Sequence, residues 1–327
     1  MKENCLSNNL ITNNLECLII TKFKIVPTKI IPLLGDGSQR TFFRVLLKNK
    51  SLILILPQEG EFGQKEARSY FHIGKFLKEN GIPTPKILDY EENLGFLLVE
   101  DLGDIRLYDV ANPDKKKQFY REVIRILVDF QRLVNKFDQT WCLNEALYNF
   151  DYLWRKEILY FKEWYVEKYK NRNISDSLLN ELGNFLKEKL SFEHKSLLHN
   201  DFQSKNIMIK NNKIFIIDFQ STKIGPPWYD LASLLFDPYL KNFNLDFDEL
   251  IRYYSHMTGF DTEFVFDQVY SFAIVRLMQT LAAYVKLSYL GKAWFKNYIK
   301  EAEKRLACVL NSIQKKEPIR GLLNLIN

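Results

Sequence analysis

The pattern of hydrophobic and polar positions changes along this chain. In the first hundred residues, short apolar segments alternate with polar turns, a pattern typical of strands. The strands predicted in this way cover residues 30–34, 41–47, 51–56, 86–90 and 95–100. Residues 61–80 instead show the spacing of an amphipathic helix that ends at Gly81, and residues 7–20 predict a leading helix behind Ser7.

Helical periodicity dominates after residue 104. The predicted helices cover residues 114–136, 151–169 and 175–190, and the helical pattern returns from 229 to 314. Residues 197–218 interrupt it with two short apolar strands around a polar loop. The predicted fold class is therefore α+β, with a small antiparallel β-sheet lobe (residues 1–104) and a larger, mainly helical lobe (residues 105–327).

Composition and charge exclude some functions. The 327 residues include 46 Lys and Arg against 40 Asp and Glu, so the net charge is +6. Binding to nucleic acid requires positive charge gathered on one face, and the only tight basic run is Lys115–Lys117, which a solvated helix start explains. We expect no nucleic-acid partner, whereas an anionic small substrate stays possible.

Cysteine usage and hydropathy point to a protein of the cytoplasm. The four cysteines are far apart in sequence, with no CxxC pair and no histidine at zinc-ligand spacing, and are expected to be reduced thiols. The longest aliphatic run, Leu52–Leu56, is much too short to cross a bilayer, and the N-terminus lacks a signal-peptide core. We expect no membrane partner and favour a monomer.

The segment LHNDFQSKNIMI (residues 198–209) carries the clearest chemistry. Asp201 and Asn206 lie on its polar loop, and Asp218 follows in IIDFQ. Phosphoryl transfer needs a carboxylate that accepts the proton of the attacking hydroxyl and oxygen ligands for Mg²⁺. We predict Asp201 as the catalytic base and Asn206 and Asp218 as metal ligands, brought to the same end of paired strands. The alternative is a hairpin flanked by turn-forming Asp and Asn.

These segments, together with GPPWYDLASLL (225–235), resemble the superfamily of aminoglycoside phosphotransferases and choline kinase-like enzymes, which are small-molecule relatives of the protein kinases. Within it, GDGSQRTFFRV (35–45), GFLLVEDLGD (95–104) and the 217–239 segment are most similar to the anomeric sugar kinases of cell-wall recycling. Those enzymes phosphorylate N-acetylmuramate and N-acetylglucosamine at carbon 1. The resemblance covers roughly residues 30–300 and implies a bilobal protein-kinase-like fold.

The resemblance implies that ATP and Mg²⁺ are the cofactors, with the nucleotide in the first lobe. Its candidate nucleotide-binding residues are Gly35, Gly37, Ser38, Arg44, Glu66, Glu100 and Leu102. The glycines and Ser38 form a turn that is either a phosphate cradle or an ordinary hairpin turn, and residues 100–103 correspond to the adenine hinge. In the resembled families, the Asp that matches Asp230 braces the catalytic loop, whereas the alternative here is an ordinary residue at a helix N-terminus. We expect His199 to pack beneath the loop.

One departure concerns the nucleotide site. Protein kinases hold the phosphates with a lysine on the third strand, but Leu52–Leu56 contains none. Glu66 lies on the apolar face of its helix, as the glutamate that pairs with this lysine should. Its partner must therefore be another cation, Arg40 or Arg44, unless Glu66 is only the polar edge of the helix.

The acceptor site is expected in the helical lobe near Asp201. The candidate substrate-binding residues are Gln203, Gln220, Trp228 and Arg276. For Trp228 and Arg276, the alternative is a place in the core. Lys205 either reaches a phosphate or faces water, and water is the favoured expectation.

The expected activity is the ATP-dependent phosphorylation of a small-molecule hydroxyl, above all the anomeric hydroxyl of an N-acetylated amino sugar. The alternatives are an aminoglycoside, choline or homoserine kinase of the same fold, or a catalytically silent binding protein. A cationic acceptor would call for an acidic pocket, for which the chain offers Asp237, Asp246, Asp248 and Glu249.

Overall fold

The computed structural model describes residues 15–35, 37–240, 246–313 and 317–326. The chain divides into two compact units. The first consists of Met1–Gly103 and Phe215–Gln220, and the second of Asp104–Ile214 and Ser221–Asn327. The expected nucleotide-binding and acceptor domains, 1–104 and 105–327, stay a prediction, because compactness does not show what a unit binds.

The first unit is built on a five-stranded antiparallel sheet, in which the fifth strand lies between the third and the fourth. The strands are Lys29–Leu33, Thr41–Leu46, Ser51–Leu56, Ile87–Glu91 and Phe96–Glu100. Successive side chains of a strand point to opposite faces. Leu54 and its neighbour Ile55 are both buried, so the third strand is covered on both faces and needs a continuous apolar run.

Two helices of the first unit bury apolar side chains. Residues 15–23 are helical and place Ile19 in a core cluster with Val45 and Leu54, whereas residues 7–14 of the predicted leading helix lie outside the described residues. Helix Glu61–Glu79 buries Tyr70, Ile73 and Leu77 as predicted. It ends at Asn80, and Gly81 adopts the left-handed φ of 82° that the turn requires.

The segment Phe215–Gln220, which contains IDFQ, packs within the first unit. Ile216 donates its backbone N–H to the carbonyl oxygen of Pro83 at 2.7 Å. The Phe219 ring lies 4.6 Å from that of Tyr70 on helix Glu61–Glu79. Asp218 is thereby attached to the sheet unit, although it follows the helical-lobe loop in sequence.

The second unit is mainly helical. Its α-helices of eight or more residues are Pro113–Gln131, Asp176–Lys189, Trp228–Leu235, Phe247–Thr258, Thr262–Tyr289, Lys296–Ser312 and Glu317–Ile326. In the stretch predicted as a helix over 151–169, the α-helical turns Phe150–Leu153 and Leu159–Phe161 alternate with the π-helical segments Trp154–Ile158 and Lys162–Tyr169. In the described part of the chain, no helix has the length and apolar character to cross a membrane.

Short strands flank the polar loop of the second unit. Ser196–Leu198 pairs with Lys223–Gly225 in antiparallel fashion. Ile207–Lys210 follows the loop, and Lys213–Ile216 leads to Asp218. Residues 199–206 therefore run between two strands, which fixes both ends of the loop that carries Asp201.

Candidate active site

The loop that carries Asp201 is anchored by Asp230. The buried carboxylate of Asp230 accepts the backbone N–H groups of His199 at 2.7 Å and Asn200 at 3.0 Å. Burial raises the pKa of Asp230 to about 7, although the two N–H donors act in the opposite direction. Because Asp230 lies in the first turn of helix Trp228–Leu235, it ties the loop to a rigid element, and the expectation that it braces this loop is confirmed.

His199 supports the loop from below. Its ring is fully buried, with ring centroids of Phe202 and Phe130 at 5.6 and 6.3 Å. Its Nδ1 accepts a hydrogen bond from the backbone N–H of Asp201 at 3.3 Å. The predicted packing role of His199 is confirmed.

The carboxylate of Asp201 is held on both oxygens. Oδ1 forms a hydrogen-bonded ion pair with Nη2 of Arg276. Oδ2 accepts hydrogen bonds from Nε2 of Gln203 at 2.8 Å and from Nδ2 of Asn206 at 3.0 Å. The Asp201 side chain is still 33% exposed, so a hydroxyl can reach it. The predicted base, Asp201, is therefore in direct contact with the predicted metal ligand Asn206 and with Gln203 and Arg276, which were predicted to bind the substrate.

Arg276 continues this network into the interior. Its Nη1 donates to Oε1 of Gln279 at 2.6 Å and lies 3.5 Å from the hydroxyl of Tyr229. Tyr229 in turn donates to Glu157 at 2.8 Å, and the Tyr148 hydroxyl donates to the other oxygen of Glu157 at 2.9 Å. Burial opposes the charge of Arg276, but Tyr229, Asp201 and Glu157 outweigh it and raise its pKa, so the guanidinium stays charged.

Glu157 was not identified by the sequence reasoning. It is buried in the π-helical segment Trp154–Ile158, where its carboxyl group connects two tyrosines with the Arg276 network. The sequence does carry a signal for it: at helical spacing, Glu157 falls on the same face as Leu153 and Phe161, both of which are buried.

Asp218 is the centre of a second polar cluster, which lies wholly in the first unit. Its Oδ1 accepts hydrogen bonds from Nη2 of Arg40 and from Nε2 of Gln220, the latter at 3.0 Å. Its backbone has a φ of 65°, a left-handed conformation that is uncommon for residues other than glycine and is often found at functional sites. Glu66 completes the cluster, 3.5 Å from Nε of Arg40 and 3.3 Å from Nε2 of Gln220.

The cation that pairs with Glu66 is thus Arg40. Arg44, the other candidate, has its Nε 2.7 Å from Oδ2 of Asp101. Arg44 lies on strand Thr41–Leu46, and Asp101 directly follows strand Phe96–Glu100 and also accepts the backbone N–H of Gly103 at 2.9 Å. Arg44 therefore braces the predicted hinge, and pairing it with Glu66 is wrong.

The other predicted nucleotide-binding residues lie in the turn and at the hinge. Gly35, Gly37 and Ser38 fall between the first two strands, and Asp36 lies outside the described residues. Ser38 Oγ accepts both the backbone N–H and Nε of Arg40, at 3.0 and 2.9 Å. Glu100 ends its strand with its N–H bonded to the carbonyl oxygen of Lys86, and Leu102 is buried. Their binding roles stay predictions.

Two side chains are not where the sequence placed them. Trp228 is fully buried, with its ring against Phe260 at 4.8 Å, so it belongs to the core and cannot stack on a sugar. Lys205, expected to face water, is buried with its ammonium 4.3 Å from the centroid of the Tyr239 ring. A lysine stem packs favourably on aromatic surface, and its charge gains from the ring face.

Asp218 in the first unit and Asn206 in the second each carry a side-chain oxygen of the kind that Mg²⁺ prefers, a carboxylate and an amide oxygen respectively. Asn206 uses Nδ2 to donate to the backbone oxygen and to Oδ2 of Asp201, which turns its Oδ1 away from Asp201. Gln220 Oε1 is buried and accepts no hydrogen bond from any described residue, so it suits a metal-bound water. Asn206 and Asp218 belong to different units, and their joint ligation of one metal stays a prediction.

The fold is that of a protein-kinase-like phosphotransferase. A choline kinase from Streptococcus pneumoniae matches 90% of this chain and 99% of its own, with a TM-score of 0.65 at 16% identity. A thermostable mutant of an aminoglycoside phosphotransferase, solved with ADP and hygromycin B, matches 92% of this chain and 99% of its own, with a TM-score of 0.60 at 14% identity.

The sequence comparisons assign the chain to a family. The profile of the phosphotransferase enzyme family matches residues 29–265, and the chain belongs to this family.

Curated relatives share a single printed name. An N-acetylmuramate/N-acetylglucosamine kinase of Pseudomonas aeruginosa is 24% identical over 220 residues, which cover 66% of this chain and 62% of the relative. The kinase of that name from Neisseria meningitidis serogroup B is 25% identical over 302 residues, which cover 84% of this chain and 85% of the relative. The chain spans less than two thirds of the length of the Pseudomonas relatives that it matches.

Proposed function

We propose that this protein is an ATP- and Mg²⁺-dependent kinase that phosphorylates the anomeric hydroxyl of an N-acetylated amino sugar. The observation that carries the proposal is the Asp201 carboxylate, hydrogen-bonded to Arg276, Gln203 and Asn206 and one third exposed. The curated relatives, which are named for N-acetylmuramate and N-acetylglucosamine, support the choice of acceptor.

Asp201 orients the acceptor hydroxyl and takes its proton as the new P–O bond forms. Its three side-chain donors hold the carboxylate in one orientation, and the hydrogen bonds to Asp230 hold the loop backbone. ATP with its metal supplies the transferable phosphoryl group. Positioning and charge complementarity therefore account for most of what this chain contributes to the reaction.

The acidic residues that could have served a cationic acceptor have other partners. Asp237 is buried and accepts the backbone N–H groups of Ser204 and Tyr239. Asp246 caps helix Phe247–Thr258 by accepting the N–H of Glu249. The Glu249 side chain pairs with Lys117 and Arg121, and that of Asp248 with Arg252. Choline and aminoglycosides are for this reason the less favoured acceptors.

The test is an acceptor panel with product identification. The full chain is incubated with ATP, Mg²⁺ and, one at a time, N-acetylmuramate, N-acetylglucosamine, glucosamine, choline, homoserine and an aminoglycoside, and products are identified by phosphorus NMR. We expect a sugar 1-phosphate from the N-acetylated sugars alone. The same reactions with the Asp201→Asn variant serve as the control and should show no such signal.

A different product pattern overturns the proposal in a defined way. A sugar 6-phosphate would support a sugar acceptor but refute phosphorylation of the anomeric hydroxyl. Phosphocholine or phosphohomoserine would refute a sugar acceptor. Nucleotide binding without turnover of any acceptor would favour the catalytically silent alternative.

A further inference from the structure

The strand that carries the phosphate-binding lysine in protein kinases has no cation in this chain. Strand Ser51–Leu56 reads SLILIL, and its Leu52 and Leu54 side chains are buried. Glu66 on helix Glu61–Glu79 is nevertheless buried and has a cationic partner, Nε of Arg40 at 3.5 Å. The cation therefore reaches Glu66 from the turn before the second strand and not from the third strand.

Arg40 is held from three sides. Ser38 Oγ and Glu66 Oε1 lie 2.9 and 3.5 Å from its Nε, and Nη2 donates to Oδ1 of Asp218. The Arg40 side chain is only 6% exposed, and its guanidinium carbon lies 5.4 Å from the centroid of the Phe42 ring. Buried ion pairs are often no more stabilising than apolar side chains of similar volume, so stability alone does not explain this cluster.

We propose that Arg40 is the cation that binds the nucleotide phosphates in this protein, in place of the strand lysine. This inference rests on the proposed use of ATP. A guanidinium presents five N–H groups in a fixed planar arrangement. Those on Nε and Nη2 are directed at Ser38, Glu66 and Asp218, while among the described residues none accepts a hydrogen bond from Nη1. The N–H groups of Nη1 are thus available to phosphate oxygens.

The chemistry of arginine explains why it suits this position. A lysine is a point charge on a flexible stem, whereas the guanidinium of Arg40 contacts Glu66 on a helix and Asp218 after a strand at the same time. Arg40 therefore links the turn of Gly35, Gly37 and Ser38 to the residue proposed to bind the metal. Glu66 and Asp218 act as positioning residues that fix the orientation of the guanidinium.

The test measures nucleotide binding by calorimetry on the full chain, with Mg²⁺ and without any acceptor. Arg40→Gln should weaken binding of ATP and ADP by about 10- to 100-fold. A loss of this size is typical when a hydrogen bond to a charged group is removed. Binding of adenosine should be unchanged, because it has no phosphate. The matched control is Arg125→Gln, since Arg125 is exposed and pairs with Glu122 and Asp129, and it should leave all three affinities unchanged.

Two results would overturn the proposal. Unchanged ATP affinity would show that Arg40 does not bind phosphate, and an equal loss for adenosine and ATP would show a purely structural role. If Arg40→Gln fails to fold because the buried Glu66 carboxylate loses its cation, the double variant with Glu66→Gln removes that charge and is measured in the same way. Because no sugar is present, the outcome is independent of the acceptor proposed above.

Discussion

At the scale of single residues, the chemistry depends on how Asp201 is held. Its two oxygens receive three side-chain hydrogen bonds, from Arg276, Gln203 and Asn206, and its backbone N–H reaches His199. His199, Gln203 and Asn206 belong to the polar loop itself, whereas Arg276 lies on helix Thr262–Tyr289. The loop alone therefore supplies much of the geometry, and one long-range contact completes it.

Replacing Asp201 by Asn should remove catalysis while keeping the shape of the side chain. We expect kcat to fall by about 10²- to 10⁴-fold, the usual contribution of a general base, with the affinity for Mg–ATP unchanged. Steady-state kinetics and calorimetry measure the two quantities separately. Asp114→Asn, at an exposed position in the first turn of helix Pro113–Gln131, is the control. A variant with near wild-type kcat would remove Asp201 from the role of base.

At the scale of elements, the π-helical segments decide which side chains face the core. A π-helix has more residues per turn than an α-helix, so it rotates the side chains that follow it. In the π-helical segment Trp154–Ile158, the Glu157 side chain is buried and accepts hydrogen bonds from Tyr148 and Tyr229. Burial raises the pKa of Glu157 from 4.5 to about 7, although both tyrosine hydroxyls act in the opposite direction.

This shift predicts a pH-dependent stability. Between the two pKa values of 4.5 and about 7, the folded chain keeps the proton of Glu157 while the unfolded chain releases it. The free energy of unfolding should therefore fall as the pH rises through this window, by up to about 3 kcal/mol in total. Urea unfolding at about pH 5 and about pH 8 compares the wild type with Glu157→Gln, whose glutamine cannot titrate. If the free energy of unfolding falls equally in both proteins between these pH values, the raised pKa of Glu157 is contradicted.

A glycine sets the distance between helix Glu61–Glu79 and the segment that carries Asp218. A Cβ at Gly74 would lie 2.8 Å from Cδ1 of Ile87 and 2.9 Å from the ring of Phe219. Alanine is favoured over glycine inside a helix by about 1 kcal/mol, but overpacking a tight core costs about 1–3 kcal/mol.

We therefore expect Gly74→Ala to lower the free energy of unfolding by up to about 2 kcal/mol, because the cost of overpacking exceeds the gain in helix propensity. Chemical denaturation measures the change. Lys75→Ala, at the next and exposed position of the same helix, should leave stability nearly unchanged. Stabilisation by Gly74→Ala would show that Phe219 and Ile87 can move aside.

At the scale of the whole molecule, two buried arginines pair with the carboxylates of the predicted chemistry. The net charge of +6 implied no particular partner, yet Arg40 and Arg276 each pair with a carboxylate of the predicted chemistry, Asp218 and Asp201 respectively. These pairs lie in different compact units, Arg40 in the first and Arg276 in the second. A cytoplasmic location and a monomeric state stay predictions.

Local patterns along the chain were enough to predict most strands and helices of the fold and the catalytic motif. Short apolar segments between polar turns indicated the five strands, the 3.6-residue period indicated helix Glu61–Glu79, and the spacing of Asp201, Asn206 and Asp218 indicated phosphoryl transfer. These signals are local, because strand and helix periods and loop spacings are properties of a few consecutive residues.

Contacts between side chains far apart in sequence became visible in the folded chain alone. The tertiary structure paired Glu66 with Arg40 and not with Arg44, and it buried Trp228 and Lys205. It also attached Phe215–Gln220 to the sheet unit. Such contacts join residues far apart in sequence and depend on packing, on π-helical turns and on the path of the chain between units, for which a single sequence carries no periodic signal.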